Sequence, residues 1–428
     1  MNIFTLNTYT LLKILIVLSF SSGNSLISIG SLLVVLLHVG RGSDKYLYVY
    51  LLLLVLSILS GVSQGNFYVR GYLLSFITLS PLAFYFIARR LLNLDRFAES
   101  NIEKVLLLHV YLSIMQLPIQ IFQLLLANNL NFSAFLSNAS AGDVAYGSIG
   151  HSGVLAYKAA LSLFITHSLY SFGKISLLYR NLFTAVLFLS ILIVGSNHTV
   201  IIGCFSLLIA FIFYSKFNAH KIFVVLKLSL LLISISLLFI YIFESQFNLI
   251  KSNILIAVDG AGELPKVKIY SDIWNLFVAE PIYYFLGLGI GSYSSRASFI
   301  LSGTYLWEGI NPLIGFQMSP YFESNLLPLW NLDVRSITYL SGTMFQPFSF
   351  YATMLSEYGV IVFSLIILLL SRIIFSKGSI DVFSRAAFIF FLTMLFIDNF
   401  MEYLNVVIPY IIYLSYAYGL KPVEKTST

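Results

Sequence analysis

About a dozen apolar stretches follow one another along the 428 residues, separated by short polar joints, and the rhythm breaks once, over roughly 100 residues between Glu244 and Phe345. About 20 apolar residues make a helix long enough to cross the hydrocarbon core of a bilayer. The chain therefore reads as an all-α polytopic integral membrane protein of about twelve transmembrane helices, folded as a single transmembrane domain over 1–428. Hydropathy places spans near 9–22, 25–40, 46–64, 71–90, 105–127, 152–173, 181–196, 199–215, 222–243, 347–371, 384–398 and 403–420. Two segments between spans are large enough to hold a site: 128–150, and a large extracytoplasmic loop over 244–345.

A composition of 59% hydrophobic and only 10% charged residues excludes a water-soluble surface. The net charge of +6 does not point to nucleic acid, because its Lys and Arg residues are scattered through loops in the pattern that orients membrane helices. With the N-terminus cytoplasmic, most of them fall in inner joints, among them Arg41, Lys45, Arg89, Arg90, Arg96 and Lys104. The short outer joints carry almost none, while the long loop holds Lys251, Lys266, Lys268, Arg296 and Arg335. Both termini are thus expected inside, with the long loop outside. The first apolar run contains Lys13 and continues into a second without a small-x-small cleavage site, so it reads as a retained span. The single cysteine, Cys204, lies in an apolar stretch and cannot form an intrachain disulfide.

Chemistry is expected in the long loop. From Pro265, Ile269, Ile273 and Phe277 recur at near-helical spacing beside Trp274, which predicts an amphipathic helix lying along the outer membrane surface. GLGIGSYSSR follows, in which Gly287, Gly289 and Gly291 allow backbone amides to approach an anion and Arg296 adds a planar cation; a diphosphate fits that description. Arg335, before the next span, either contacts substrate or pairs with Asp333 or a neighbouring loop acid. His151 and His198 fall at outer membrane edges, and His198, in the tight joint GSNHT, either acts as a general base or binds phosphate, or is simply a solvated cap. Lys158, one helix face below His151, either lines a site or snorkels to the interface. Glu357, within a span, is a candidate base or half of a buried ion pair.

Four blocks, in order, resemble the Wzy-type O-antigen polymerases, within the group that also contains O-antigen ligases. They are GSIGHSGVLAYKAAL from Gly147, ILIVGSNHT from Ile191, EPIYYFLGLGIGSY from Glu280 and LSEYGVIVFSLIILLL from Leu355, and together they cover about Gly147 to Leu370. Two positions depart from the pattern. Asn197 and His198 stand where an Arg often follows the Ser, and Phe348 stands where ligases carry a histidine, which favours polymerase over ligase.

The resemblance implies a glycosyltransferase that polymerises undecaprenyl-diphosphate-linked repeat units into a surface polysaccharide at the periplasmic face of a bacterial inner membrane. Its partners would be the lipid-linked glycan donor and acceptor, the lipid bilayer and a chain-length regulator, with no nucleic acid. Arg296 and Arg335 are then the catalytic cations at the leaving diphosphate, with Lys158, Lys266 and Lys268 as further substrate-binding cations. His198, His151 and Glu357 compete as base or acceptor-positioning groups. Direct displacement with inversion is expected, with no cofactor and no metal, because the outer segments carry no acidic cluster of metal-ligand spacing. The alternatives are an O-antigen ligase and a flippase or transporter of a lipid-linked oligosaccharide.

Overall fold

The computed structural model describes residues 8–20, 52, 55, 56, 58–63, 71, 99–127, 145–214, 265–302, 318–329, 347–374 and 381–419. Every regular element among them is helical: α1 Thr8–Ser19, α2 Glu99–Ile114, α3 Gln116–Ala127, α4 Ser152–Ser171, α5 Leu177–Val194, α6 Asn197–Tyr214, α7 Pro265–Ala279, α8 Pro281–Leu286, α9 Arg296–Leu301, α10 Phe350–Ile374, α11 Val382–Ile397 and α12 Leu404–Gly419. No strand forms among the described residues.

Among the described residues, three segments are long and apolar enough to cross a membrane: Asn101–Ala127, Leu177–Val194 and Phe350–Leu368. Shorter apolar helices lie at Tyr9–Ser19, His198–Phe213, Val382–Ile397 and Asn405–Leu414. Helices thus occupy the stretches expected near 9–22, 105–127, 152–173, 181–196, 199–215, 347–371, 384–398 and 403–420. The stretches near 25–40 and 222–243, and most of those near 46–64 and 71–90, lie outside the described residues, as does much of the long loop.

Local sequence explains where several helices begin and end. The Ser176 hydroxyl accepts the Tyr179 amide to start α5, and Gly195, at φ 69°, ends it in the left-handed conformation with its amide donating to Leu192 O. Asp381 caps α11 by accepting the Ser384 amide. Pro118, which has no amide, falls in the first turn of α3, where no intrahelical donor is required.

Helix α4 is central. It packs against α2, α5, α6, α11 and α12, and its small residues Ala156, Ala159, Ala160 and Ser162 are buried, letting neighbouring backbones come close. Because it is enclosed on nearly every side, its sequence shows little one-sided periodicity. Tyr157 of α4 packs tilted against Phe400 with ring centroids 3.8 Å apart, and Phe391 and Tyr410 stack at 5.0 Å.

A second, smaller core gathers Ile269, Ile273 and Phe277 of α7 with Tyr283, Leu288, Phe299, Phe322 and Phe348. The helix predicted from Pro265 is present, and its periodic stripe faces this core. The opposite face carries exposed Val267, Trp274 and Val278. Periodicity identifies a buried stripe without saying what buries it; here that is the chain itself.

Helix α10 is broken at Gly359, where φ is 72° and ψ 174°. The break is filled by the turn after α8. A Cβ on Gly287 would lie 2.4 Å from the Glu357 carbonyl carbon, and one on Gly359 would lie 2.4 Å from Phe285 O. Only glycine permits the two backbones to cross this closely. The Ser60 hydroxyl donates to the carbonyls of Leu286 and Gly287 and fastens a further segment to the crossing.

Candidate functional site

The break in α10 removes helical donors from the carbonyls before it, and the crossing turn replaces them. Leu288 N donates to Ser356 O at 2.7 Å and Gly289 N to Glu357 O at 3.1 Å. The Glu357 side chain is gathered into the same turn. Its Oε2 accepts the Gly291 amide at 2.7 Å; its Oε1 accepts the amides of Tyr293 at 3.0 Å and Ser295 at 2.9 Å, and the Ser298 hydroxyl at 3.2 Å. The glycine-rich turn is therefore an anion cradle, and the anion in it is the chain's own carboxylate. The Gly287 amide donates to Tyr283 O, so all three glycine amides are paired within the protein. Expected to meet a substrate diphosphate, they are committed to the fold, because a carboxylate buried inside a helix bundle requires donors of its own.

The turn continues into Arg296, which opens α9 against the joint between α11 and α12. The Arg296 amide donates to Glu402 Oε2 at 2.7 Å, and its guanidinium lies 4.6 Å above the centroid of the Tyr403 ring. Tyr403 in turn meets the edge of His151, with centroids 6.0 Å apart. His151 caps α4: its Nδ1 accepts the Val154 amide at 3.3 Å. A neutral imidazole that accepts at Nδ1 carries its proton on Nε2, so the other edge of this exposed ring is a donor. Arg296 and Tyr403 are partly exposed. The three side chains form a row of contacts at one end of the helix bundle, two donors that each touch the Tyr403 ring.

Acids lie behind this row. Asp398 and Glu402 are 5% and 7% exposed, too enclosed for water to carry their charge. Burial pushes Glu402 well above the usual carboxylate range; the charges of Glu357 and Asp398 add to that, while the Arg296 amide and guanidinium oppose it. Asp398 is likewise raised by burial, with Lys266, His151 and Arg296 pulling it back. Asn399 ties the joint to the turn: its Nδ2 donates to Ser294 O at 3.0 Å and its Oδ1 accepts the Thr353 hydroxyl at 3.3 Å. Lys266 donates to the carbonyls of Phe348 and Ile397, the latter at the C-terminal end of α11, where a cation meets the negative end of the helix. Burial lowers its amine to about 8, with Asp398 acting in the opposite direction.

The structure thus brings Arg296, His151, Glu357 and Lys266 into one neighbourhood around the α11–α12 joint. His198 lies at its edge, 3.4 Å from the Ser196 hydroxyl and within electrostatic reach of Lys266. Lys158 is elsewhere. Its ammonium donates to Ser19 Oγ at 2.8 Å and sits 4.1 Å above the Phe20 ring, buried between α4 and α1. Lys268 is exposed on α7, one turn from Asp272. Arg335 lies outside the described residues. The residues that sequence reading passed over are Asp398, Asn399, Glu402 and Tyr403. Their signal was available in IDNFMEY, two acids and an amide in a tight joint between two apolar runs, where nothing but a polar role requires charge.

These observations define a protein whose described residues are all-helical, with helices long and apolar enough to cross a membrane and a polar, charge-bearing cluster where several helix ends meet. No protein-family model matches the chain, and comparison with curated proteins and with solved structures finds no match.

Proposed function

We propose that this chain is a lipid-linked-donor glycosyltransferase of about twelve spans, with both termini cytoplasmic, that polymerises undecaprenyl-diphosphate-linked repeat units at the periplasmic face of a bacterial inner membrane. The observation that carries this reading is the Arg296–Tyr403–His151 row, backed by the buried carboxylates of Glu402 and Asp398. A donor that brings its own diphosphate leaving group requires cationic or N–H donors where negative charge develops, and a base for the acceptor hydroxyl. Arg296 and the Nε2–H of His151 are the donors, and both pack against the ring of Tyr403. The acceptor hydroxyl attacks the anomeric carbon on the face opposite the diphosphate, with inversion. Asp398 and Lys266 set the local field, and Glu357 fixes the turn that presents Arg296.

The test is the glycan profile of a deletion strain of the source bacterium, with and without the chain restored, separated by length. Loss of the ladder with a single repeat unit still attached to the lipid core supports polymerisation. Loss of all attached glycan points to ligation, flipping or earlier assembly, and an unchanged ladder overturns the proposal. The broken helix α10 favours a transporter as the second reading, since discontinuous helices line many transport sites; substrate counterflow in vesicles separates the two.

A further inference from the structure

We propose that Glu402 is the base that takes the proton from the attacking acceptor hydroxyl; this rests on the glycosyl-transfer reading above and supplies the residue it leaves open. Of the two carboxylate oxygens, Oε2 accepts the Arg296 amide. The other, Oε1, is buried and has no hydrogen-bond partner among the described residues. Leaving a buried acceptor unmatched is unfavourable, and an incoming hydroxyl supplies the missing donor. A second unmatched group packs against the same joint from α4: the hydroxyl of Tyr157 is buried without a partner among the described residues, and its ring lies tilted against Phe400, two residues before Glu402.

The competing groups are already engaged. Both oxygens of Glu357 accept backbone amides. The Nδ1 of His151 accepts the Val154 amide, which leaves that ring a donor. Asp398 accepts the Asn399 amide at 2.6 Å. Glu402 also stands where a base is useful, bonded to the backbone of the residue whose guanidinium would hold the leaving group. The groups acting on it are Glu357 from α10, Asp398 from the joint and Arg296 from α9; burial and the two acids strengthen its hold on a proton, as general-base work requires.

In the step, the acceptor O–H bond breaks and its proton passes to Oε1. The oxygen's electron pair forms the new bond to the anomeric carbon. The bond from that carbon to the diphosphate oxygen breaks, and its electron pair leaves on the diphosphate beside Arg296.

The experiment uses membranes of the deletion strain, with its accumulated lipid-linked single repeat unit as substrate, and the full chain supplied as wild type, Glu402→Gln, Glu402→Asp or Arg296→Ala. Polymer is read at equal membrane abundance and across pH. Glu402→Gln retains an oxygen for the Arg296 amide but accepts no proton, so polymer formation should fall by about 10²–10⁴-fold. Glu402→Asp should restore part of it with a displaced pH profile, which a merely structural role would not produce. If Arg296→Ala abolishes polymer while Glu402→Gln supports it at close to the wild-type level, the base assignment fails alone; if both variants support it, the site reading fails with it. Should Glu402→Gln not reach wild-type abundance, the Asp variant decides: a displaced profile supports the assignment, and an unchanged one overturns it.

Discussion

Glu357 Oε2 accepts the Gly291 amide at 2.7 Å across 66 residues of sequence. The bond joins a carboxylate inside a helix to a turn that belongs to the longest interruption between spans. It makes Glu357 the strut of the candidate site. Replacing it by Ala leaves the buried amides of Gly291, Tyr293 and Ser295 without an acceptor, at about 1–3 kcal/mol each. Glu357→Ala should therefore lower the melting temperature of the detergent-purified protein sharply. Glu357→Gln should fall between, since its oxygen accepts but its NH2 opposes an amide donor.

Gly287 and Gly359 face each other's backbones with no room for a Cβ. Either glycine replaced by Ala should destabilise the protein by more than about 3 kcal/mol, combining strain at positive φ with a backbone clash. Gly150→Ala is the control: φ is 77° there too, but nothing lies within 4 Å of the added carbon. Its cost should stay near 1 kcal/mol, on the order of the left-handed penalty alone. Equal membrane abundance of all three variants would refute the close crossing.

His151 caps α4 and also stands in the candidate site, and one substitution separates these roles. Asn caps helices well, so His151→Asn should preserve the melting temperature within about 0.5 kcal/mol of stability. Polymer yield from the same variant should fall, because the Nε2 donor and the ring edge against Tyr403 are gone. Unchanged yield would remove His151 from the site.

Lys266 makes stability depend on pH in a defined direction. Its amine titrates near 8 in the folded protein, against 10.5 without the fold. Between those values the unfolded chain holds a proton that the folded chain does not, so stability rises with pH across that window and is flat below it. The rise amounts to about 3 kcal/mol. Melting temperatures measured from pH 7 to 10 should show this component in the wild type and lack it in Lys266→Met.

Sequence and structure agree most closely where a single physical rule suffices. Apolar length marked the helices. Arg296 stood out as a cation beside the glycine-rich segment and His151 as a polar group at a membrane edge, and the structure brings both against Tyr403. What no local pattern carried was pairing across the chain. The glycine-rich turn announced an anion, but nothing in GLGIGSY says that the anion sits 66 residues further on, at Glu357. Likewise, Lys158 and His151 share a helix, yet Lys158 turns to Ser19, because a buried ammonium takes the nearest buried hydroxyl whatever its place in the sequence.

The Gly291–Glu357 bond also has a temporal side. The turn is synthesised first, and the helix carrying its carboxylate follows 66 residues later, roughly 3–13 s at translation speeds of about 5–20 residues per second. For that interval its amides have only water for company. The segment holding Arg296 cannot settle until the following helix has emerged and been inserted, so truncation anywhere between them should release a nascent chain that proteases recognise as unfinished.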